Sequence, residues 1–327
     1  MRTNRSILIK QRCGRESGFT LVEMMVAITI GVAMIAGLMT VLANTGTSTK
    51  TNDRTAELLT NGRYALNSLR RELRQAGYRG YTWADPSLPT TALGALTNEC
   101  LESGATASQF ISNMRQGIWG ANNSNPFSAN CIPDSDYATT GGGDDVLVIR
   151  SVADIPTTTL TANTVYFRSS YAMGEIFRGT AGPTFPGSQA PLADFALRTY
   201  VYYISPYSIT ATESPLVPAL YRVSLQANGS MSKEMVASGI ERFQVQYGVL
   251  TTAPDTRYFD SLAGSSVNVN SSDWDGVNSV RIWLLARNET PEPGYLNTNS
   301  YAMGDRTLTV NDNFRRQLFS TVVQLRN

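Results

Sequence analysis

The 327-residue sequence contains no histidine. That removes Ser-His-Asp and Cys-His catalysis and every imidazole-ligated metal site. Cysteine is scarce: Cys13, Cys100 and Cys131 are the three, and none has the Cys-x-x-Cys spacing of redox or zinc motifs. No phosphate-cradling glycine loop and no GxGxxG fingerprint occurs. No enzyme activity and no cofactor is therefore expected; a reaction would have to rest on carboxylate, Ser, Lys or Tyr, and no spacing singles any out. Charged residues make up only 16%, with a formal net charge of +1. Five bases, Arg2, Arg5, Lys10, Arg12 and Arg15, stand ahead of residue 18 with Glu16 as the only acid, so acids outnumber bases in the remainder. Such a balance exerts no general pull on phosphate, and no nucleic-acid partner is expected. Proline is absent before Pro86, so no proline breaks a helix in that stretch.

What the N-terminus does contain is a long apolar run. Residues 24–43 hold no charge, and as a helix twenty such residues cross a hydrocarbon core of about 30 Å. The basic residues before it favour a cytoplasmic N-terminus and a head on the far side of an inner membrane. A secretory signal has the same order of charge and apolar run, with its cut after the run, and residues 41–43 would pass as such a site. Against that stands Glu23, just inside the apolar edge. A carboxylate toward a bilayer interior costs about 2.5–3.5 kcal/mol, less near the interface, and so marks a function. Cleavage after Gly18 would free the amine of Phe19, a cationic partner for Glu23 on a neighbouring copy. A membrane-anchored or secreted periplasmic binding module is the alternative from another class.

Gly18-Phe19-Thr20-Leu21-Val22-Glu23, between basic leader and apolar run, resembles the class III signal of type IV pilins and type II secretion pseudopilins. The resemblance implies cleavage between Gly18 and Phe19 by prepilin peptidase, N-methylation of Phe19, and an assembly role for Glu23. Residues 63–77, residues 281–287 and the Arg315-Arg316 pair are similar to the PilW family of minor pilins. That likeness implies a subunit of the type IV pilus, assembling with other minor and major pilins on the assembly platform. It would act in a tip or initiation complex with an adhesin. Secretion pseudopilin J is the related alternative. The domain expectation is a leader at 1–18, a transmembrane and assembly helix at 19–43, its periplasmic half at 44–78, and a head at 79–327.

Beyond the apolar run a helical pattern resumes, with Ala56, Leu59, Leu66, Leu69, Leu73 and Ala76 on one stripe and Gly77 as a stop. Residues 45–48 are its weakest stretch and a candidate bend. Arg63, Arg70, Arg71 and Arg74 read as a solvated face with Glu57 and Glu72 nearby. Strands are predicted at 145–150, 164–167, 199–204, 220–225, 231–233, 242–247, 279–285 and 318–325, with an Asn228-Gly229 hairpin turn. Residues 227–232 and 251–276 read as turn or loop. One long helix followed by hairpin-linked strands predicts an α+β fold, a pilin-like N-terminal helix packed on a largely antiparallel head.

Residues 85–143 are rich in Ser, Thr, Asn, Gly and Pro and read as a mobile loop region unless clamped. Cys100 and Cys131 lie within it; once Cys13 leaves with the leader they form an even pair in an oxidising compartment. A disulfide is expected, with two separate thiols as the alternative. Asp144-Asp145 and Asp273-Trp274-Asp275-Gly276 carry a hint of calcium chemistry, but the terminal acid of an EF-hand is missing and both are expected to be solvated turns. No metal site is expected. Ser-Tyr-Ala-Met-Gly occurs twice, at 170–174 and 300–304, without an evident physical reason.

Overall fold

Fifty-three consecutive residues, Leu21–Leu73, form one α-helix, α1, in a computed structural model that describes residues 18–139, 141–187, 190–252, 255–267 and 273–325. The leader's basic residues and Cys13 lie outside the described residues. The chain divides into two compact units between Asp53 and Arg54. In the first, helical structure continues through residues 45–48, where a bend was a candidate. There the hydroxyls of Thr45, Thr47 and Thr49 bond the carbonyls of Val41, Asn44 and Thr45, so polar side chains are satisfied within the helix instead of competing with it.

The second unit holds the rest of α1 and the head. Here the buried stripe of α1 is Leu58, Gly62, Ala65, Leu69, Glu72 and Leu73. It corrects the predicted stripe at its start: Ala56 is exposed and Leu59 and Leu66 are only half-buried. The reason is Gly62, which apolar counting passes over. The Phe319 ring lies where a Cβ at Gly62 would be, so bare backbone serves as the contact surface. After Leu73 the helix tightens, with Gln75 and Ala76 donating to carbonyls three residues back, and Gly77 turns out with φ 77°.

Beyond α1, a short helix, α2 (Gln109–Ser112), precedes β1 (Ile118–Ala121), β2 (Val146–Val152), β3 (Val165–Ser169), β4 (Gly174–Arg178) and β5 (Ala193–Ser205). Then come β6 (Ala219–Leu225), β7 (Met231–Ser238), β8 (Ile240–Thr252), β9 (Asp255–Phe259) and β10 (Val277–Arg287). Last are β11 (Ser300–Met303), β12 (Arg306–Thr309) and β13 (Arg316–Gln324). Every paired neighbour among them is antiparallel, giving the α+β fold with largely antiparallel sheets that the sequence predicts.

Strand β5 organises a seven-stranded sheet. β2 pairs with its residues 197–202, while β3 takes residues 193–196 and β6 residues 200–205. A second sheet runs β13-β10-β8-β9, and β11-β12 form a small hairpin. One hydrophobic core joins both sheets and α1, through Leu69, Phe110, Val148, Tyr202, Phe243 and Ile282 among others.

Three expectations are corrected. The 251–276 stretch contains β9, five residues in which only the terminal Tyr258 and Phe259 are apolar and none is buried; backbone pairing with β8 and the Arg281 guanidinium 4.0 Å over the Tyr258 ring hold it. Likewise the predicted 227–232 turn is shorter than its range, because β7 starts at Met231, where the strand at 231–233 is predicted. The 85–143 stretch is no bare loop: it forms α2 and β1 and sends Leu93, Phe110, Ile111, Met114, Phe127 and Ile132 into the core. Among its described residues, Leu88 alone of the large apolar side chains stays exposed. The two Ser-Tyr-Ala-Met-Gly copies have different structures, the first a turn between β3 and β4, the second strand β11.

Candidate functional site

The described part of the N-terminal unit begins with two exposed residues, Gly18 and Phe19, ahead of the helix. Thr20 caps α1: its hydroxyl accepts a hydrogen bond from Glu23 N at 3.3 Å, and its carbonyl accepts from Met24 N at 3.2 Å. Sequence reasoning overlooks Thr20, although its Thr-x-x-Glu spacing is that of a capping box. Glu23 sits in the first turn, where a negative charge suits the positive end of the helix dipole. Among the described residues no ion pair includes Glu23.

From Phe19 to Leu42 the large apolar side chains stand between 50 and 79% exposed. Each would gain about 1.5–3 kcal/mol on leaving water, far too much to leave in solvent. The segment is long and apolar enough to cross a membrane. Its polar side chains agree: the hydroxyls of Thr29 and Thr40 donate to the carbonyls of Val26 and Ala36, so no side-chain donor is left bare in lipid.

In the head, Cys100 and Cys131 are joined by a disulfide. The clamp is reinforced by acids. Glu99 accepts from Ser108 N at 2.7 Å, and Glu102 accepts from Ser265 Oγ at 2.5 Å and Ser266 N at 2.7 Å. Burial raises the Glu99 carboxyl above its ordinary range, with the Ser108, Ile111 and Phe110 amides opposing. Behind them lies Arg150, fully buried on β2. It donates to the carbonyls of Phe110 at 2.9 Å, Gln116 at 3.2 Å and Ser266 at 2.8 Å, and its guanidinium lies 4.4 Å from the centre of the Phe110 ring. Three separate segments meet on one side chain.

Asp144 and Asp145 are not the solvated turn expected of them; both are buried. Asp144 accepts from Phe243 N at 3.0 Å and Arg242 Nη1 at 3.1 Å, and Asp145 from Val245 N at 2.6 Å and Asn123 N at 3.0 Å. The pair thus bonds the entry of β2 to β8 of the other sheet. Burial raises Asp145 to about 8, opposed by its two backbone donors and aided by Asp305 and Asp144. Burial raises Asp144 to about 6, with Arg242 opposing. Trp274 of the second acidic motif is buried in a short turn, and Asp275 approaches Arg115 at 3.8 Å. Among the described residues no cluster of three or more acidic or cysteine side chains could hold a metal ion.

The arginines near the C-terminus are structural. Arg316 is buried and pairs with Glu241 at 2.5 Å and with Asp312 at 2.6 Å, while Arg315 pairs with Glu292 at 2.5 Å. On α1, Arg71 meets Glu72 at 3.2 Å, and Arg222 of β6 approaches the same carboxylate at 3.9 Å.

Residues 201–327, from within β5 through the whole second sheet, match the family model Type IV Pilus-assembly protein W. Residues 13–39 match the Prokaryotic N-terminal methylation motif. No curated protein and no solved structure matches the chain. Together the two family matches support a type IV pilus minor pilin of the PilW family, a structural pilus subunit. The apolar helix and the motif fit a pilin anchored in the inner membrane and assembled with other pilins after processing by prepilin peptidase.

Proposed function

We propose that the chain is a minor pilin cut between Gly18 and Phe19, N-methylated on Phe19, and held in the pilus by helix α1 with Glu23 setting its register. In this reading residues 1–18 are leader, residues 19–43 the transmembrane and assembly helix, residues 44–78 its periplasmic half, and residues 79–327 the head. The N-terminus faces the cytoplasm before cleavage and the head the periplasm. The observation that carries the reading is the capped helix with apolar side chains bare on all faces and one acid in its first turn. In a bundle of such helices the freed Phe19 amine of one copy is the natural counter-charge for Glu23 of the next, since an unpaired buried charge is costly. A head of this size suits the tip better than a crowded shaft, where it would help initiate assembly with sibling minor pilins and hold an adhesin.

Mass spectrometry of the protein purified from piliated cells tests the processing step, and an N-methylated Phe19 is expected. A mature chain starting at Asn44, or an uncut Met1, would end the reading. Glu23→Ala is expected to leave cleavage intact while filament number and incorporation fall severalfold. Unchanged incorporation removes the role of Glu23. Loss of twitching motility, with protein export unaffected, separates a pilus subunit from a secretion pseudopilin.

A further inference from the structure

Where α1 ends, the head has a cleft of about 640 Å³ that none of the roles above uses. Its floor is backbone. Gly117 packs on Gly77 so closely that a Cβ at Gly117 would meet Gly77 Cα at 2.5 Å, which leaves the floor flat and open. One wall is charged. Arg115 Nη2 lies 3.0 Å from Asp85 and 3.8 Å from Asp275, and Arg79 Nη1 lies 3.8 Å from Asp85. At the rim stands Trp83, 89% exposed.

That indole has no structural duty. A tryptophan offers 150–250 Å² of surface, about the largest of any side chain, and is normally covered; Trp119 and Trp274 are buried here. Yet the backbone around it is fixed. Thr82 N donates to Ser169 Oγ at 3.1 Å, Ala84 N to Thr82 Oγ1 at 3.0 Å, and Arg79 Nη2 to the Arg115 carbonyl at 3.0 Å. A rigid base under an exposed ring is a pre-organised surface, which binds with little ordering cost.

We propose that this cleft binds carbohydrate, with a neutral pyranose ring laid on Trp83 and its hydroxyls bonded to Arg115, Asp85 and Asp275. The charges decide the ligand class. Two guanidinium groups and two carboxylates compensate one another, so an ionic ligand gains nothing. Their outward edges supply donors and acceptors side by side. Hydroxyl groups, each both donor and acceptor, match such a row. The apolar face of a sugar ring covers the indole, and the size of the cleft lies in the range of small-ligand sites. The inference stands apart from the pilin reading, because binding is measured on the isolated chain.

The test is a printed array of neutral oligosaccharides, probed with the labelled full-length chain in a zwitterionic detergent, which avoids competition from sugar headgroups. One arm carries β-1,4-linked N-acetylhexosamine chains of the cell-wall type, the other hexose-based surface glycans; the arm that retains the protein names the source. Binding is expected on at least one arm. Trp83→Ala should weaken it by about tenfold or more, Trp83→Phe less, and Asp85→Asn severalfold. Trp83 is too exposed for its removal to unfold the head, and an unchanged melting curve checks this. No retained glycan, or full retention by Trp83→Ala, overturns the proposal. So would capture of a sibling pilin through Trp83 with no glycan bound, which would assign the cleft to a protein.

Discussion

Arg150 carries a charge to a place that water does not reach, and burial pulls its pKa down to about 9 against the fields of Glu102 and Glu99. It stays because three carbonyls converge on it, that of Ser266 being shared with Asn113 Nδ2 at 3.0 Å. Arg150→Ala takes a charged donor from each carbonyl and opens a cavity, so urea denaturation of the full chain should show a loss of about 3–5 kcal/mol. Arg150→Lys keeps the charge but not the planar fork and should also destabilise. Arg198, half-exposed and 3.3 Å from an exposed Asp154, is the contrast; its alanine variant should change stability by under about 1 kcal/mol. None of the Arg150 partners is legible in the sequence. Phe110 and Gln116 are 40 and 34 residues away and Ser266 is 116 away, whereas Gly18, Phe19 and Glu23 announce themselves because their signal is contained in six contiguous residues.

At the scale of elements the same rule of locality holds. The strands that the sequence displays, such as β6, β8, β10 and β13, are runs with strong β-branched or aromatic alternation. Those it hides, β1, β4, β9, β11 and β12, are four or five residues long; β1 and β9 line up on the longer β2 and β8, while β4 pairs with the equally short β3 and β11 with β12. Helix α1 is legible as a helix, and Leu69, Leu73 and Ala76 give its facing at the C-terminal end; at the start the contact is Gly62, which carries no apolar signal. Gly62→Val drives a side chain into Phe319 and should lower the unfolding free energy by about 1–3 kcal/mol, the usual cost of overpacking, read from urea denaturation. The Cys100–Cys131 bond closes a loop with a sequence separation of 31. Replacing both cysteines by serine should cost about 3–4 kcal/mol in the chain-entropy account, read as a lower melting temperature that reductant no longer alters. Core anchors such as Phe110 and Ile132 limit the damage to local opening, measurable as proteolysis within residues 85–143.

For the molecule as a whole, acidity is the condition to vary. Asp145 and Asp144 have pKa values raised by burial to about 8 and about 6. A carboxyl raised in the folded state binds its proton more tightly there than in the unfolded chain. Its contribution is therefore complete below the ordinary range near 3.8 and is lost as pH climbs through the folded value. The urea midpoint should fall between pH 5 and pH 8, and Asp145→Asn should flatten the upper part of that slope. Asp312, held low by Arg316, works in the opposite sense: its contribution is present above the ordinary carboxylate range and is lost on acidification.

The meeting of Gly62 with Phe319 has a temporal consequence. The two residues lie near opposite ends of the second unit, so the helix surface that receives Phe319 emerges from the ribosome long before its cover. At ordinary elongation rates the delay is about 10–50 s. During that interval the nascent helix keeps its contact face uncovered, and the fold closes only when the last strand arrives.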